Sequence, residues 1–315
     1  MAIPIIFLVI GFALLIKGAD WLVEGGSSLA KRFRISDLAI GLTVVAFGTS
    51  VPELVVNVLA SWQGFSDIVF GNVIGSNLFN LFAILGIAGL ISPLLIRSGT
   101  VWREIPLSFL AALLLFFLVN SFFFGRDTGL SRTDGLLLLL LFSLFIFYVY
   151  KQLKTEGTPD LIQHKGMSVL KTWGFIIIGL LFLVIGGRLV VVYAVEIAES
   201  WGISETVIGL TIVAAGTSLP ELATSVVAAF KKNNDIAVGN IIGSNIFNIF
   251  LILGVSSLIR PLNYTVSFNR ELSLLMLGTI ALLIALFIGK KYTLDRWKAG
   301  IFLAVYAGYT LYLIN

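Results

Sequence analysis

The stretch from Gly41 to Leu94 recurs, without a gap, 168 positions later as Gly209 to Leu262, with identical residues at more than half of the positions. "GLTVVAFGTSVPEL" lies over "GLTIVAAGTSLPEL", and "DIVFGNVIGSNLFNLFAILG" lies over "DIAVGNIIGSNIFNIFLILG". One structural unit is therefore used twice, and the solvent it is built for follows from what surrounds it. The chain is 58% hydrophobic and 12% charged, with a mean hydropathy of +1.03, whereas soluble domains carry about 25% charged residues. Apolar stretches near twenty residues recur from end to end, and about 20 residues at 1.5 Å rise cross a roughly 30 Å hydrocarbon core.

The apolar stretches predict ten spans, at about 2–25, 38–62, 68–92, 103–124, 131–150, 172–195, 206–230, 236–259, 271–289 and 294–313. The most polar break, "KQLKTEGTPDLIQHKGMSVLK" from Lys151 to Lys171, divides them five and five. A first repeat at 1–150, a cytoplasmic linker at 151–170 and a second repeat at 171–315 are expected. Five is odd, so the second unit enters the membrane in the opposite sense. The expected fold is an all-α polytopic membrane protein: ten transmembrane helices in two inverted five-helix repeats. Repeats of this kind build many secondary transporters, with the substrate site near the midplane where the halves meet.

Loop charge orients the chain. Lys31, Arg32, Arg34, Arg97, Arg103, Lys151, Lys154, Lys165, Lys171, Lys231, Lys232, Lys290, Lys291, Arg296 and Lys298 fall on one side, against Arg126, Arg132, Arg260 and Arg270 on the other. The first side is expected to be cytoplasmic, with both termini extracellular, in the cell membrane. The N-terminal stretch has no basic leader and no small-residue cleavage site, so a retained helix is expected. The absence of cysteine excludes disulfides, thiol catalysis and thiolate metal sites. The net charge of +4 is spread over loops, with no basic, aromatic tract for nucleic acid.

Against this apolar background the repeated motifs are costly. Proline inside a helix removes a hydrogen bond and crowds the preceding turn, so Pro52 and Pro220 predict breaks in spans 2 and 7 that free carbonyls near Ala46 and Ala214. Such carbonyls must be buried in protein or face a wet cavity. A mid-span carboxylate is functional by default, which singles out Glu53 and Glu221. Thr49, Ser50, Thr217 and Ser218, beside the break, read as ligands rather than as hydroxyls bonded back to their own helix. At i, i+4, i+8 spacing, Asn72, Ser76 and Asn80 share one face of span 3, and Asn240, Ser244 and Asn248 one face of span 8. Asn80 and Asn248 are the stronger ligand candidates; Asn72, Asn77, Asn240 and Asn245 read as helix–helix hydrogen bonding. Gly71, Gly75, Gly239 and Gly243 read as close-packing small residues. Every group in the set offers oxygen, which suits hard cations such as calcium.

Other charges have plainer readings. The single His164 lies in the polar linker and reads as solvated. Lys17 and Arg188 read as snorkelling side chains, with Asp20 pairing Lys17, while Asp67 and Asp235 read as N-caps of spans 3 and 8.

With these motifs stated, the chain resembles the cation/calcium exchanger superfamily over essentially its whole length, and within it the sodium/calcium exchangers of prokaryotic type. The resemblance implies that Glu53 and Glu221 coordinate calcium with the carbonyls of Thr49 and Thr217. It implies sodium sites at Ser50, Ser76, Ser218 and Ser244 with the carbonyls of Ala46 and Ala214. Calcium and sodium would be the transported ions, with no cofactor, no catalytic residue and no protein partner, as a monomer in the lipid bilayer. The superfamily's calcium/proton branch carries a different acidic motif, absent here. One departure stands out: some relatives carry Asp at one of the positions of Asn80 and Asn248, and here both are amides. Two carboxylates balance one calcium, and three sodium ions in its place would leave a net positive charge, so electrogenic exchange is expected. A channel would use similar ligands without needing inverted repeats. An intramembrane hydrolase finds no histidine in the spans and no partner for its hydroxyls. Calcium/proton exchange, or a potassium-dependent cation exchanger, is the nearest competitor.

Overall fold

The computed structural model describes residues 2–33, 35–120, 128–155, 167–201 and 214–314. The expected span 7 thus begins, at 206–213, outside the described residues, as do Arg34, Arg126, His164 and Lys165. Twelve helices run in order among the described residues: α1 (Ala2–Phe33), α2 (Asp37–Thr49), α3 (Val51–Gln63), α4 (Ser66–Ile91), α5 (Ser98–Val119), α6 (Arg132–Thr155), α7 (Val169–Ser200), the short α8 (Ala214–Gly216), α9 (Leu219–Phe230), α10 (Asn234–Ile259), α11 (Asn269–Ala285) and α12 (Arg296–Ile314). Among the described residues, seven helical stretches are long and apolar enough to cross a membrane, and α2 with α3 forms an eighth, bent by 47°. The protein is an all-helical, multi-pass membrane protein.

Several helices overrun the lengths that hydropathy sets. α1 continues through Lys31 and Arg32 to Phe33, and α7 reaches Ser200. Backbone hydrogen bonding does not stop where the apolar run stops. At 1.5 Å per residue, each 32-residue helix is about 48 Å long, well beyond the hydrocarbon layer. The two pack along their length, and glycines make this possible. A Cβ on Gly18 would stand 2.7 Å from the Gly179 carbonyl oxygen, and one on Gly186 would stand 2.8 Å from that of Gly11. Aromatic pairs line the same seam, with Phe7 stacked on Tyr193 at 4.9 Å and Trp21 beside Phe182 at 5.1 Å. Outward, Ile3, Ile6, Ile16, Leu181 and Ile185 are exposed, as lipid-facing side chains would be.

α4 and α10 hold the centre. Every residue of α10 from Ile236 to Phe250 is buried. Both helices widen into a π-helical turn, at Phe79–Ile84 and Asn248–Ile252, a distortion that clusters at functional sites. α2 carries a third, at Gly41–Val45. Two short antiparallel ladders tie distant parts of the chain: β1 (Leu94–Leu95) to β4 (Thr293–Leu294), and β2 (Gly129–Leu130) to β3 (Leu262–Asn263).

Three expectations about charged residues meet the structure. Lys17 does pair with Asp20, at 2.8 Å, and Lys231 joins the same carboxylate at 2.6 Å. Asp67 and Asp235 are not N-caps. Phe65 and Asn233 occupy the cap positions, and the Asn233 side chain accepts from Ile236 N at 3.0 Å. The two aspartates sit two positions past the caps, where Asp67 accepts from the Thr265 hydroxyl and Asp235 pairs with Arg97. Lys298 is not a loop charge. It lies in the first turn of α12, 2% exposed, with its ammonium donating to the carbonyls of Ile288 and Thr293 and 3.1 Å from Asp295. Three acceptors replace the water a buried ammonium loses.

Candidate cation site

Ser50 is the joint between α2 and α3. Its dihedrals (φ −85°, ψ 6°) leave the α-helical basin, and Pro52 opens the new helix in a position where its missing N–H costs nothing. Ser218 repeats the geometry (φ −88°, ψ 9°) ahead of Pro220 and α9. The Ala46 carbonyl, expected to be freed by the proline, is engaged. It accepts from Ser50 N at 3.1 Å and from the Thr49 hydroxyl at 3.3 Å. The reason is register: proline crowds the carbonyl four residues back, here Gly48, and leaves Ala46 its partner. Ala214 is the first residue of α8, directly after residues outside the description.

Each joint aims its serine across the chain. The Ser50 hydroxyl donates to Glu221 Oε1 at 2.8 Å and lies 3.1 Å from Ser244 Oγ. The Ser218 hydroxyl donates to Glu53 Oε1 at 3.0 Å and lies 3.0 Å from Ser76 Oγ. These are equivalent bonds with the two repeats exchanged. Glu53 and Glu221 are each 1% exposed, and Oε2 of each is buried without a hydrogen-bond partner.

The asparagines form a second crossed layer. Asn80 Nδ2 donates to Asn245 Oδ1 at 3.0 Å, and Asn248 Nδ2 donates to Asn77 Oδ1 at 2.9 Å. Asn77 and Asn245 also bond each other's backbone carbonyls across the α4–α10 contact, which matches their reading as helix–helix links. The amide oxygens of Asn80 and Asn248 are left buried and unpartnered. Thr49 donates to Asn240 at 3.0 Å, and Thr217 to Asn72 at 3.3 Å. All the predicted serines, carboxylates and amides are therefore brought into one buried polar core.

Sequence reasoning passed over Asn57 and Ser225, which occupy matching positions. Asn57 donates to the Glu53 carbonyl at 2.7 Å, and Ser225 accepts from Asn240 at 3.0 Å. Their mismatched identity hid them, although one turn beyond each glutamate was a signal of place. No group of three or more His, Cys, Asp or Glu is found among the described residues, so two carboxylates stand among neutral oxygens.

A burial of this kind has a definite chemical meaning. An unpaired polar oxygen in a protein interior costs about 1–3 kcal/mol, more when charged, and four such oxygens come from Glu53, Glu221, Asn80 and Asn248. Every one is an acceptor, so the complement is a cation. Hard oxygen donors fit calcium or sodium, with calcium taking about 6–8 of them.

Comparison with known proteins agrees. The sodium/calcium exchanger protein family matches residues 3–151 and 171–315. The chain belongs to that family. It is 33% identical over 358 residues to the sodium/calcium exchanger MaX1 of Methanosarcina acetivorans, with 99% of each chain covered. It is 38% identical over 292 residues to the inner membrane protein YrbG of Escherichia coli, covering 89% of this chain and 87% of the relative. Among solved structures it is similar to the sodium-calcium exchanger NCX_Mj soaked with neither sodium nor calcium, at a TM-score of 0.84 and 33% identity, over 99% of this chain and 100% of that one. Membership makes it a membrane antiporter of the cation/calcium exchange type.

Proposed function

We propose that this protein exchanges sodium for calcium across the cell membrane by alternating access, and that the cycle is electrogenic. The observation that carries the reading is the set of four buried acceptor oxygens without donors, two of them on carboxylates. In the proposed site Glu53 and Glu221 bind calcium, with Thr49, Thr217, Asn80 and Asn248 contributing neutral oxygens. Ser50, Ser76, Ser218 and Ser244 serve sodium, with the backbone at Ala46 and Ala214. In this state the Ala46 carbonyl is occupied by Ser50 and Thr49, so its service to sodium requires the joint to move.

The frame for this is ten spans in two inverted five-helix repeats, with spans 2 and 7 broken at Ser50 and Ser218 and both termini extracellular. The names of MaX1 and NCX_Mj support sodium as the counter-ion. Shared ligands make the ions exclude one another, which couples the fluxes. Two carboxylates neutralise one calcium, and three sodium ions leave a surplus charge worth about 2.3 kcal/mol per 100 mV when moved across the membrane.

Calcium/proton exchange is the second reading, since the same unpartnered Oε2 atoms would accept protons. Calcium uptake into reconstituted vesicles, driven in parallel by a sodium and by a proton gradient at clamped potential, separates them. Uptake with sodium alone, accelerated by a potential of the right sign, is expected. Uptake with protons alone, or indifference to potential, would overturn the reading.

A further inference from the structure

A cavity of about 510 Å³ reaches from the molecule's surface to Asn72 and Thr217, at the border of the cation site. Its other walls come from α3, α4, α11 and α12, and Glu271 is the one carboxylate among its lining residues. Asn72 accepts from Thr217 and from Ser76; Ser76 lies against Ser218, and Ser218 donates to Glu53. An ion reaching the cavity floor is thus two hydrogen-bonded neighbours from the buried carboxylate.

The internal repeat gives this cavity a counterpart, and the counterpart is shut. Asn240 and Thr49, which match Asn72 and Thr217, are 0% exposed, whereas Asn72 and Thr217 are only partly buried. A Cβ on Gly239 would meet the Leu38 carbonyl at 2.9 Å and one on Gly243 would meet the Ala46 side chain at 2.8 Å. Their equivalents are looser: Gly71 faces only the Phe268 ring at 3.7 Å, and Gly75 has nothing within 4 Å among the described residues.

The carboxylate follows the same rule. "RE" at Arg270 and Glu271, in the first turn of α11, recurs one position off the 168-residue register as Arg103 and Glu104, where α5 resumes after a turn at Arg103. Glu104 is 0% exposed, accepts from the Tyr148 hydroxyl, and keeps Oε2 buried and unpartnered. The β2–β3 and β1–β4 ladders align Leu130 with Leu294, which brings Tyr148 into register with Tyr312. Tyr312, however, accepts from Arg270 at 3.1 Å and is 64% exposed. One tyrosine donates to its glutamate; the other is exposed and bonded to the neighbouring arginine.

We propose that Glu271 recruits the transported cation on the face where the cavity opens. Glu104 does the same on the opposite face and is held closed in this state by Tyr148. A lone carboxylate in a low-dielectric cleft raises the local cation concentration, while binding weakly enough to pass the ion inward. Alternation exchanges the two roles: when the Glu104 side opens, Tyr148 releases it and the Glu271 side packs shut. The idea rests on the transport reading above.

The test is sidedness. In proteoliposomes of uniform orientation, radioactive calcium is presented to one face at a time. Glu271→Gln is expected to raise KM at its own face by roughly 3- to 10-fold at low ionic strength, with a smaller change in Vmax and none in KM at the other face. The shift shrinks as choline chloride is added, and Glu271→Asp restores most of the affinity. Glu104→Gln gives the mirror pattern. Tyr148→Phe, which alters no charge, lowers KM on the Glu104 face alone. Equal shifts at both faces, or no shift in either glutamine variant, overturn the proposal. If the wild type carries no calcium, the transport reading fails instead, and the same sidedness is read from sodium self-exchange.

Discussion

Glu53 and Glu221 are the only carboxylates in a core otherwise made of hydroxyls and amides among the described residues. Neutralising either removes half the negative charge available to a divalent ion. Glu53→Gln and Glu221→Gln are each expected to lower calcium exchange by at least about 100-fold, the upper end of what an outer-shell partner costs, with thermal stability in detergent kept or raised. A variant with near-normal flux would remove that residue from the site. Ser50→Ala and Ser218→Ala, which strip one donor from the opposite glutamate, should cost less, about 10-fold, and equally. At this scale the sequence was most readable, because lipid makes every polar residue conspicuous. Its blind spot was pairing: nothing in the spacing of "GTSVPEL" says that Ser50 bonds Glu221 rather than Glu53. Glu104 and Lys298 were missed for a related reason. A charge near the end of an apolar run looks interfacial until its neighbours are known: Glu104 is met by Tyr148, 44 residues on, and Lys298 by carbonyls of the turn just before its own helix.

At the scale of elements, the helices followed from hydropathy while their ends did not. α1 and α7 outrun their apolar runs because backbone bonding continues into the interface, and the bend at Ser50 was readable from proline alone. The α1–α7 seam is the element feature with the sharpest consequence. With a Cβ at Gly18 only 2.7 Å from the Gly179 backbone, Gly18→Leu forces two main chains apart at a cost of about 1–3 kcal/mol or more. A lower melting temperature and slower exchange are expected. Gly174→Leu, on α7 where nothing lies within 4 Å among the described residues, serves as the control and should change neither. Equal behaviour of the two variants would show that the seam does not depend on close approach.

At the scale of the molecule, the core belongs to neither half. Every decisive side-chain bond in it crosses between residues 1–150 and 171–315, from Ser50 to Glu221, Ser218 to Glu53, Asn80 to Asn245 and Asn248 to Asn77. Two polypeptides divided within residues 151–170 should each be inert when reconstituted alone and active when co-expressed, with sodium-driven calcium uptake as the assay. Activity in either half alone would contradict the crossed geometry. The crossing also speaks to ancestry. Under the inverted arrangement proposed here, a forebear encoding a single unit had no pocket of its own until it met a copy of itself lying upside down in the same membrane. Gene fusion would then have preserved a partnership older than the chain.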